Sequence, residues 1–377
     1  VRRHGRLHPL PAGLSGMIPT NLDALTNSTL ISPEGRAPLA QEPTLPPAPP
    51  NGDESVAHFI TRRLGAEVYQ QLVEPLMSGI YGGNGEQLSL AATFPQLRQL
   101  ELRHGSLLKG LQAGQAPPAD GQPATPALPP FVSLPGGMAT LVEALLARLE
   151  RTELLTGVSL AKLASNGRGY DVLLADGRRL AADAVILATP AYVTANVLAE
   201  LDPALASLHA EIPYVSAAIV TLAFAAADLA GPLDGYGYVI PQIEEDDVLA
   251  CTWTSSKWSG RAPEGQVLVR VYAGRYGRRD VAELADTDLL TMAKDELRNT
   301  LGISSKPGRI WIHRWPQAMP QYLLGHPERL AAIEAGVAQH PGLFLAGAAY
   351  RGVGIPDCIE SGECAAGAAL ELLATRS

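Results

Sequence analysis

Apolar residues recur along this chain with two different periods, and the change of period divides it. In NGDESVAHFITRRLGAEVYQQLVEPLMSGIYGG, the residues Val56, Ile60, Leu64, Val68 and Leu72 fall on one helical face. Asp53 stands ahead of that run as the expected N-cap, and helical organisation is expected to about Leu111. From Phe131 the pattern changes: PGGMATLVEALLARL predicts a helix behind a Gly-Gly turn, and TGVSLAKL, YDVLLADGRRL and ADAVILATP predict strands. Between 191 and 320 strands dominate, as VSAAIVTLAF, GYGYVIP, VLACTWT, VLVRVYAG and RIWIHRW, with one helix from about Ala282 to Leu301. The chain opens on a strand pair, VRRHGRLHPLP, turning near Gly5. It closes on a short strand, LFLAG, a glycine-rich loop and an alanine-rich helix. Residues 43–50 read as a Pro-rich linker and 112–130, rich in Pro, Ala and Gly, as a mobile loop. No internal repeat is apparent.

At 377 residues and 46% hydrophobic content, the chain is long enough for two or more substructures around at least one large core. The excess of 38 acidic over 29 basic residues, net −9, argues against a nucleic-acid binder that works by neutralising phosphates. Cys251, Cys358 and Cys364 form no CxxC and no even framework, which points away from disulfide or zinc scaffolds and toward the cytoplasm. The longest apolar run, 215–227, is well short of the ~20 residues a membrane-spanning helix needs.

Candidate chemistry concentrates at two strand ends. The buried run of ADAVILATP ends at Ala188 before Thr189 and Pro190, and LFLAG ends at Gly347. If both belong to one doubly wound sheet, both ends face the crevice where such sheets bind ligands, although ADAVILATP alone also reads as an ordinary central strand. Gly347, Gly352 and Gly354 permit sharp turns and close backbone approach, and the helix that follows aims its N–H groups at whatever lies there. His4 and His8 read as surface residues, and Glu244, Glu245, Asp246 and Asp247 as a solvated turn. There is no GxxxxGK[ST], GxSxG or HExxH, so phosphoryl transfer, serine hydrolysis and zinc proteolysis lose their usual supports. A site of apolar walls and backbone dipoles suits a cofactor that carries the chemistry itself, and a flavin fits.

Taken together, GAAYRGVGIPDCIESG, RWPQAMPQYLLGH, EPLMSGIYGGN, LSLAATFP and LHPLPAGLSGMIPT closely resemble the FAD-dependent porphyrinogen oxidases of haem biosynthesis. These are the bacterial coproporphyrinogen III and protoporphyrinogen IX oxidases, and the likeness runs from Leu7 to about Leu373. The resemblance implies an α/β plus α+β architecture with a discontinuous, Rossmann-like FAD domain at 131–190 and 321–377. It also implies a β-rich substrate domain at 1–13 and 191–320, and a helical domain at 14–130 that can touch the membrane. It places Val353, Gly354 and Ile355 against the flavin, Gly347 near the phosphate-ribitol portion with Ala188 beside it, Leu160 at the adenine through its backbone, and Trp315 near the flavin or, equally, in the sheet core. Tyr236 and Val239 would line the tetrapyrrole pocket, bordered by Gly79 to Gly83; Tyr236 and Val239 share a wall only if GYGYVIP is bulged or curved.

The implied reaction is oxygen-dependent, six-electron oxidation of a porphyrinogen to a porphyrin. Coproporphyrinogen III is favoured and protoporphyrinogen IX is the close second. No side chain is assigned as catalytic base, a haem-pathway enzyme is an expected partner, and no metal is. The alternatives are a related flavin amine oxidase or desaturase and a cofactor-free porphyrin-binding scaffold. The family's opening strand, GxGxxG and helix for the ADP half of FAD are absent from these 377 residues. The sequence is therefore expected to be an N-terminally truncated piece that alone is inactive and does not retain FAD. The family's basic, propionate-steering residue is expected just before Val1, with Arg3 or Arg6 as unproven replacements.

Overall fold

The computed structural model describes residues 1–49, 52–114 and 131–376; most of the stretch expected to be a mobile loop thus lies outside the described residues. Apolar side chains gather in three cores. In the first, Val56, Ile60, Leu64 and Val68 are completely buried, as their spacing requires, and Leu72 is buried as well. The cap of the Val56–Leu64 helix is Ser55, not Asp53: the Ser55 hydroxyl accepts the His58 N–H at 3.1 Å. Gly65, at φ +96°, stops that helix. The chain resumes through a wide π turn, Tyr69–Val73, into the Glu74–Tyr81 helix.

The Pro-rich segment is no free linker. Arg63 donates to the Leu45 and Pro46 carbonyls at 3.3 Å each and also pairs with Glu42, while Arg98 donates to the carbonyls of Ala48 and Pro49. Arg63 and Glu42 are buried, and Glu42 also accepts the Leu107 N–H at 2.8 Å. Such a pair contributes mostly specificity, because desolvation offsets much of its attraction.

The second core lies under a five-stranded antiparallel sheet in the order 237–239, 248–253, 266–273, 214–225 and 309–320. Ala218, Val220, Leu222 and Phe224 alternate onto one face with Val269 and Val271, where the Asp286–Leu301 helix covers them with Leu289, Ala293 and Leu297. The acidic turn 244–247 is not solvated as expected. Arg3 pairs with Glu244 at 3.1 Å and Arg2 with Asp246 at 2.5 Å, so the opening hairpin, Arg2–Arg3 with Arg6–Leu7, is anchored on it. His4 stays at the surface.

In the third core, Leu343–Leu345 pairs in parallel with Val185–Leu187. Beside it stands an antiparallel sheet of Leu160–Ser165, Tyr170–Leu174 and Arg179–Ala182, so YDVLLADGRRL is two strands and a turn. Strands do not begin at 191. Two helices, Ala191–Leu198 and Pro203–Ala210, come first and pack here with Leu330 and Ile333. Their signals were present in the sequence: Pro190, Pro203, and Asp202 capping the Leu205 N–H at 2.9 Å. Among the described residues, no helix is long and apolar enough to cross a membrane.

Candidate active site

The two strand ends do meet. The register Leu345↔Leu187 sets Ala346–Gly347 beside Ala188, and a Cβ on Gly347 would lie 3.6 Å from the Ala188 carbonyl oxygen. Gly347 adopts φ +101°, where other residues are strained, and its N–H donates to Ser361 Oγ at 3.0 Å. That bond fixes the strand end to the closing helix, Ile355–Arg376.

Between them the loop 348–354 is held by Tyr322. Its hydroxyl donates to the Ala348 carbonyl at 2.5 Å and accepts the Gly352 N–H at 2.9 Å. The ring is fully buried and stacks at 4.3 Å on His326, whose Nε2 donates to the Tyr350 carbonyl at 2.9 Å. Burial pushes the Tyr322 phenol up and the His326 imidazole down, so both are neutral. Sequence reasoning quoted Tyr322 inside RWPQAMPQYLLGH without giving it a role; a tyrosine in a turn-rich segment was the signal available.

Gly352 and Gly354 have a nearer purpose than close approach of a ligand. A Cβ on Gly352 would lie 2.5 Å from the Asp357 side chain and one on Gly354 2.9 Å from Asp357 Oδ2, which accepts the Gly354 N–H at 3.0 Å. The glycines make room for a helix cap. The helix's first internal bond runs from Cys358 N–H to the Gly354 carbonyl at 3.0 Å, which leaves the Ile355 and Asp357 N–H groups at the open end. Ile355 is half exposed, and Val353 packs against the first core.

Across the loop lies the helix end 79–83. A Cβ on exposed Gly79 would lie 3.9 Å from Val239 Cγ1, so these two are close neighbours with ordinary contact spacing. Gly83 is a packing glycine instead: it is buried, and a Cβ there would meet Gln321 Oε1 at 2.6 Å. Tyr236 is 65% exposed; its neighbour Tyr238 is the buried one, donating to Glu296 at 2.7 Å. Gly237–Val239 is regularly paired with 250–252, so the sheet itself supplies no bulge there to bring Tyr236 and Val239 onto one wall. Trp315 is half exposed on the open sheet face, where Ile219, Arg270, Trp311 and His313 line a cavity of about 650 Å³ with it, so a buried-core role is ruled out. Leu160 stands in the three-stranded sheet, paired with Leu174.

No side chain at the strand ends is a ready nucleophile or base. Burial pushes the Cys358 thiol up, keeping it protonated. Among the described residues no cluster could hold a metal. What the loop offers a flat, electron-accepting ring is the helix N-terminus with its Ile355 and Asp357 N–H groups, the apolar Val353 and Ile355, and the Ala188–Gly347 notch. The residues present therefore fit the flavin half of FAD.

Comparison with known proteins identifies a flavoprotein family. The family described as flavin containing amine oxidoreductase matches residues 1–370. The chain is 37% identical over 369 residues to the coproporphyrinogen III oxidase of Bacillus subtilis, spanning 97% of this chain and 78% of that one. It is 33% identical to the coproporphyrinogen III oxidase of Staphylococcus aureus, spanning 96% and 78%. Among solved structures it superposes on an Exiguobacterium protein assigned as a protoporphyrinogen oxidase with TM-score 0.80 at 29% identity, spanning 98% of this chain and 77% of that one. The chain belongs to the flavin-containing amine oxidoreductase family, whose cofactor is FAD, on the branch that holds the porphyrinogen oxidases.

Proposed function

We propose that this protein oxidises a porphyrinogen to the corresponding porphyrin in haem biosynthesis, with coproporphyrinogen III as the preferred substrate and O2 as the final acceptor. The observation that carries the reading is the loop held by Tyr322 between the Ala188–Gly347 strand ends and the closing helix, where the carboxylate at the helix start, Asp357, is engaged by the Gly354 N–H. The Ala188–Gly347 strand ends and the helix start at Ile355 would hold the flavin half of FAD, which when bound would supply hydride acceptance and electron transfer to oxygen.

The chain's residues bind and orient. Gly79 and Val239, close neighbours, supply one small apolar wall. The closing helix presents its Ile355 and Asp357 N–H groups toward the flavin's carbonyl edge, where negative charge develops on reduction. No side chain is assigned as base; the pyrrole proton passes to solvent, and formation of the aromatic ring drives the later steps. Arg3 is already paired with Glu244 at 3.1 Å. The preference for coproporphyrinogen III is supported by the names of the 37% and 33% identical relatives. Contact of the helical region with a membrane surface, and with another haem-pathway enzyme, accompanies the same reading.

The test is to offer the flavin-loaded enzyme each porphyrinogen in turn and follow porphyrin fluorescence. A larger kcat/KM for coproporphyrinogen III supports the assignment; equal or reversed values remove the preference. No porphyrin from either removes the reading.

A further inference from the structure

The open face of the large sheet holds a cavity that is both aromatic and cationic. Its volume, about 650 Å³, falls among small-molecule pockets of ~300–1,000 Å³. Trp311, His313 and Trp315 line it from alternate positions of one strand, and Arg261, Arg270 and Arg309 share the lining. Among the described residues no carboxylate lines it, although the chain carries a net charge of −9. Arg261 is fixed, its Nη2 donating to Ser133 Oγ at 2.7 Å and to the Leu134 carbonyl at 2.8 Å. Arg270 and Arg309 have no ion pair among the described residues, and Arg270 Nε is buried without a hydrogen-bond partner. A half-buried guanidinium left uncompensated costs stability, so Arg270 points to an anion, and its planar fork fits a carboxylate.

This cavity shares its face with the Val239 wall. Across the sheet, Val239 pairs with Ala250, Ala250 with Tyr272, Tyr272 with Ile219 and Ile219 with His313, and residues so paired point to one face. Trp315 pairs with Ala217, three residues or ~10 Å along the strand from Tyr214. The Tyr214 hydroxyl accepts the Ala191 N–H at 2.8 Å, just past the strand end at Ala188. Arg270 and Arg309 stand farther along the same strand, opposite Thr221 and Ala223. The Trp315 end of the cavity is therefore nearer the flavin site, and the arginines form the far end.

We propose that this cavity receives propionate carboxylates of the porphyrinogen on Arg270 and Arg309, with the tryptophans against the macrocycle, and that the two arginines set the preference for coproporphyrinogen III. The inference rests on the reading of the protein as a porphyrinogen oxidase. The two candidate substrates differ at two ring substituents, propionates in coproporphyrinogen III and vinyls in protoporphyrinogen IX. A vinyl leaves the guanidinium groups without an acceptor, which is how a polar site rejects an analogue.

The experiment gives both porphyrinogens to the flavin-loaded enzyme and to its Arg270→Gln and Arg309→Gln variants, and follows porphyrin fluorescence. Each variant should lower kcat/KM for coproporphyrinogen III roughly tenfold, mainly through KM, since a charge-assisted carboxylate contact is lost. Protoporphyrinogen IX should lose distinctly less, so the ratio between the two substrates narrows. Flavin content and melting temperature should match wild type. Should Arg270→Gln fail to fold, the exposed Arg309→Gln carries the test. An unchanged KM for coproporphyrinogen III, or equal losses on both substrates, would overturn the proposal while leaving the function standing. A variant that sheds its flavin would assign the cavity to the cofactor and overturn it as well. A wild-type enzyme that makes no porphyrin from either substrate rejects the function and the proposal with it.

Discussion

At the scale of single residues, Tyr322 is the most economical test of how the glycine-rich loop is held. Tyr322→Phe removes one oxygen, and with it the bonds to Ala348 and Gly352. Leaving that buried carbonyl and N–H unpaired should cost about 1–3 kcal/mol, read as a lower melting temperature, and flavin should dissociate faster on dilution. A flavin dissociation rate equal to wild type would detach the loop from the cofactor. Gly347→Ala should cost a similar ~1–3 kcal/mol, because φ +101° strains any residue with a Cβ; a melting temperature within error of wild type would contradict that. Gly347 was legible in the sequence because glycine announces its own backbone freedom. Tyr322 was not, since nothing in a tyrosine's neighbours states which distant carbonyl it will meet. Gly352 and Gly354 were singled out for sharp turns and close backbone approach, and the group nearest them is Asp357, five and three residues on.

At the scale of elements, hydrophobic period carried most of the information. It located the Val56–Leu64 helix, the five strands of the large sheet and the closing strand and helix. It failed where ends are set by polar chemistry, as at Ser55, and where two short helices with Pro at their starts interrupt a strand-rich stretch. Charged residues were misjudged for a different reason. Arg2 and Arg3 meet the 244–247 turn across some 240 positions, and Arg275 meets Glu74 across 201, so topology alone makes those pairs.

The same elements predict a response to acid. Burial by itself raises the Glu101 carboxyl, but hydrogen bonds from Arg62, the Ala48 N–H and Arg98 outweigh it and hold the group down at about 2, against an ordinary 4.5. A depressed carboxyl stabilises fully above its unfolded value and loses that contribution as pH falls toward its folded one. The denaturant midpoint should therefore be flat at neutral pH and fall between about 4.5 and 2. Glu101→Gln should flatten that fall and cost about 1–3 kcal/mol near neutrality, since Arg62 and Arg98 keep Glu54 but lose a charge-assisted partner. A variant with the wild-type acid profile would assign the loss elsewhere.

At the scale of the whole molecule, three cores converge on one place. The first contributes the helix bearing Gly79, the second the strand bearing Val239, and the third the strand ends at Ala188 and Gly347. No single core could make the site, which is why local pattern located its pieces while their meeting required the fold. Five separate motifs in order made the family legible, and the matches over nearly the whole chain bear it out. The central claim is that these parts together oxidise a porphyrinogen with FAD. The direct measurement mixes the flavin-loaded enzyme anaerobically with coproporphyrinogen III, follows flavin absorbance, then admits oxygen and records porphyrin fluorescence. The account predicts that the flavin bleaches on mixing and recovers with oxygen as coproporphyrin III accumulates. A flavin that stays oxidised with coproporphyrinogen III and protoporphyrinogen IX, yet bleaches with an amine, would contradict it.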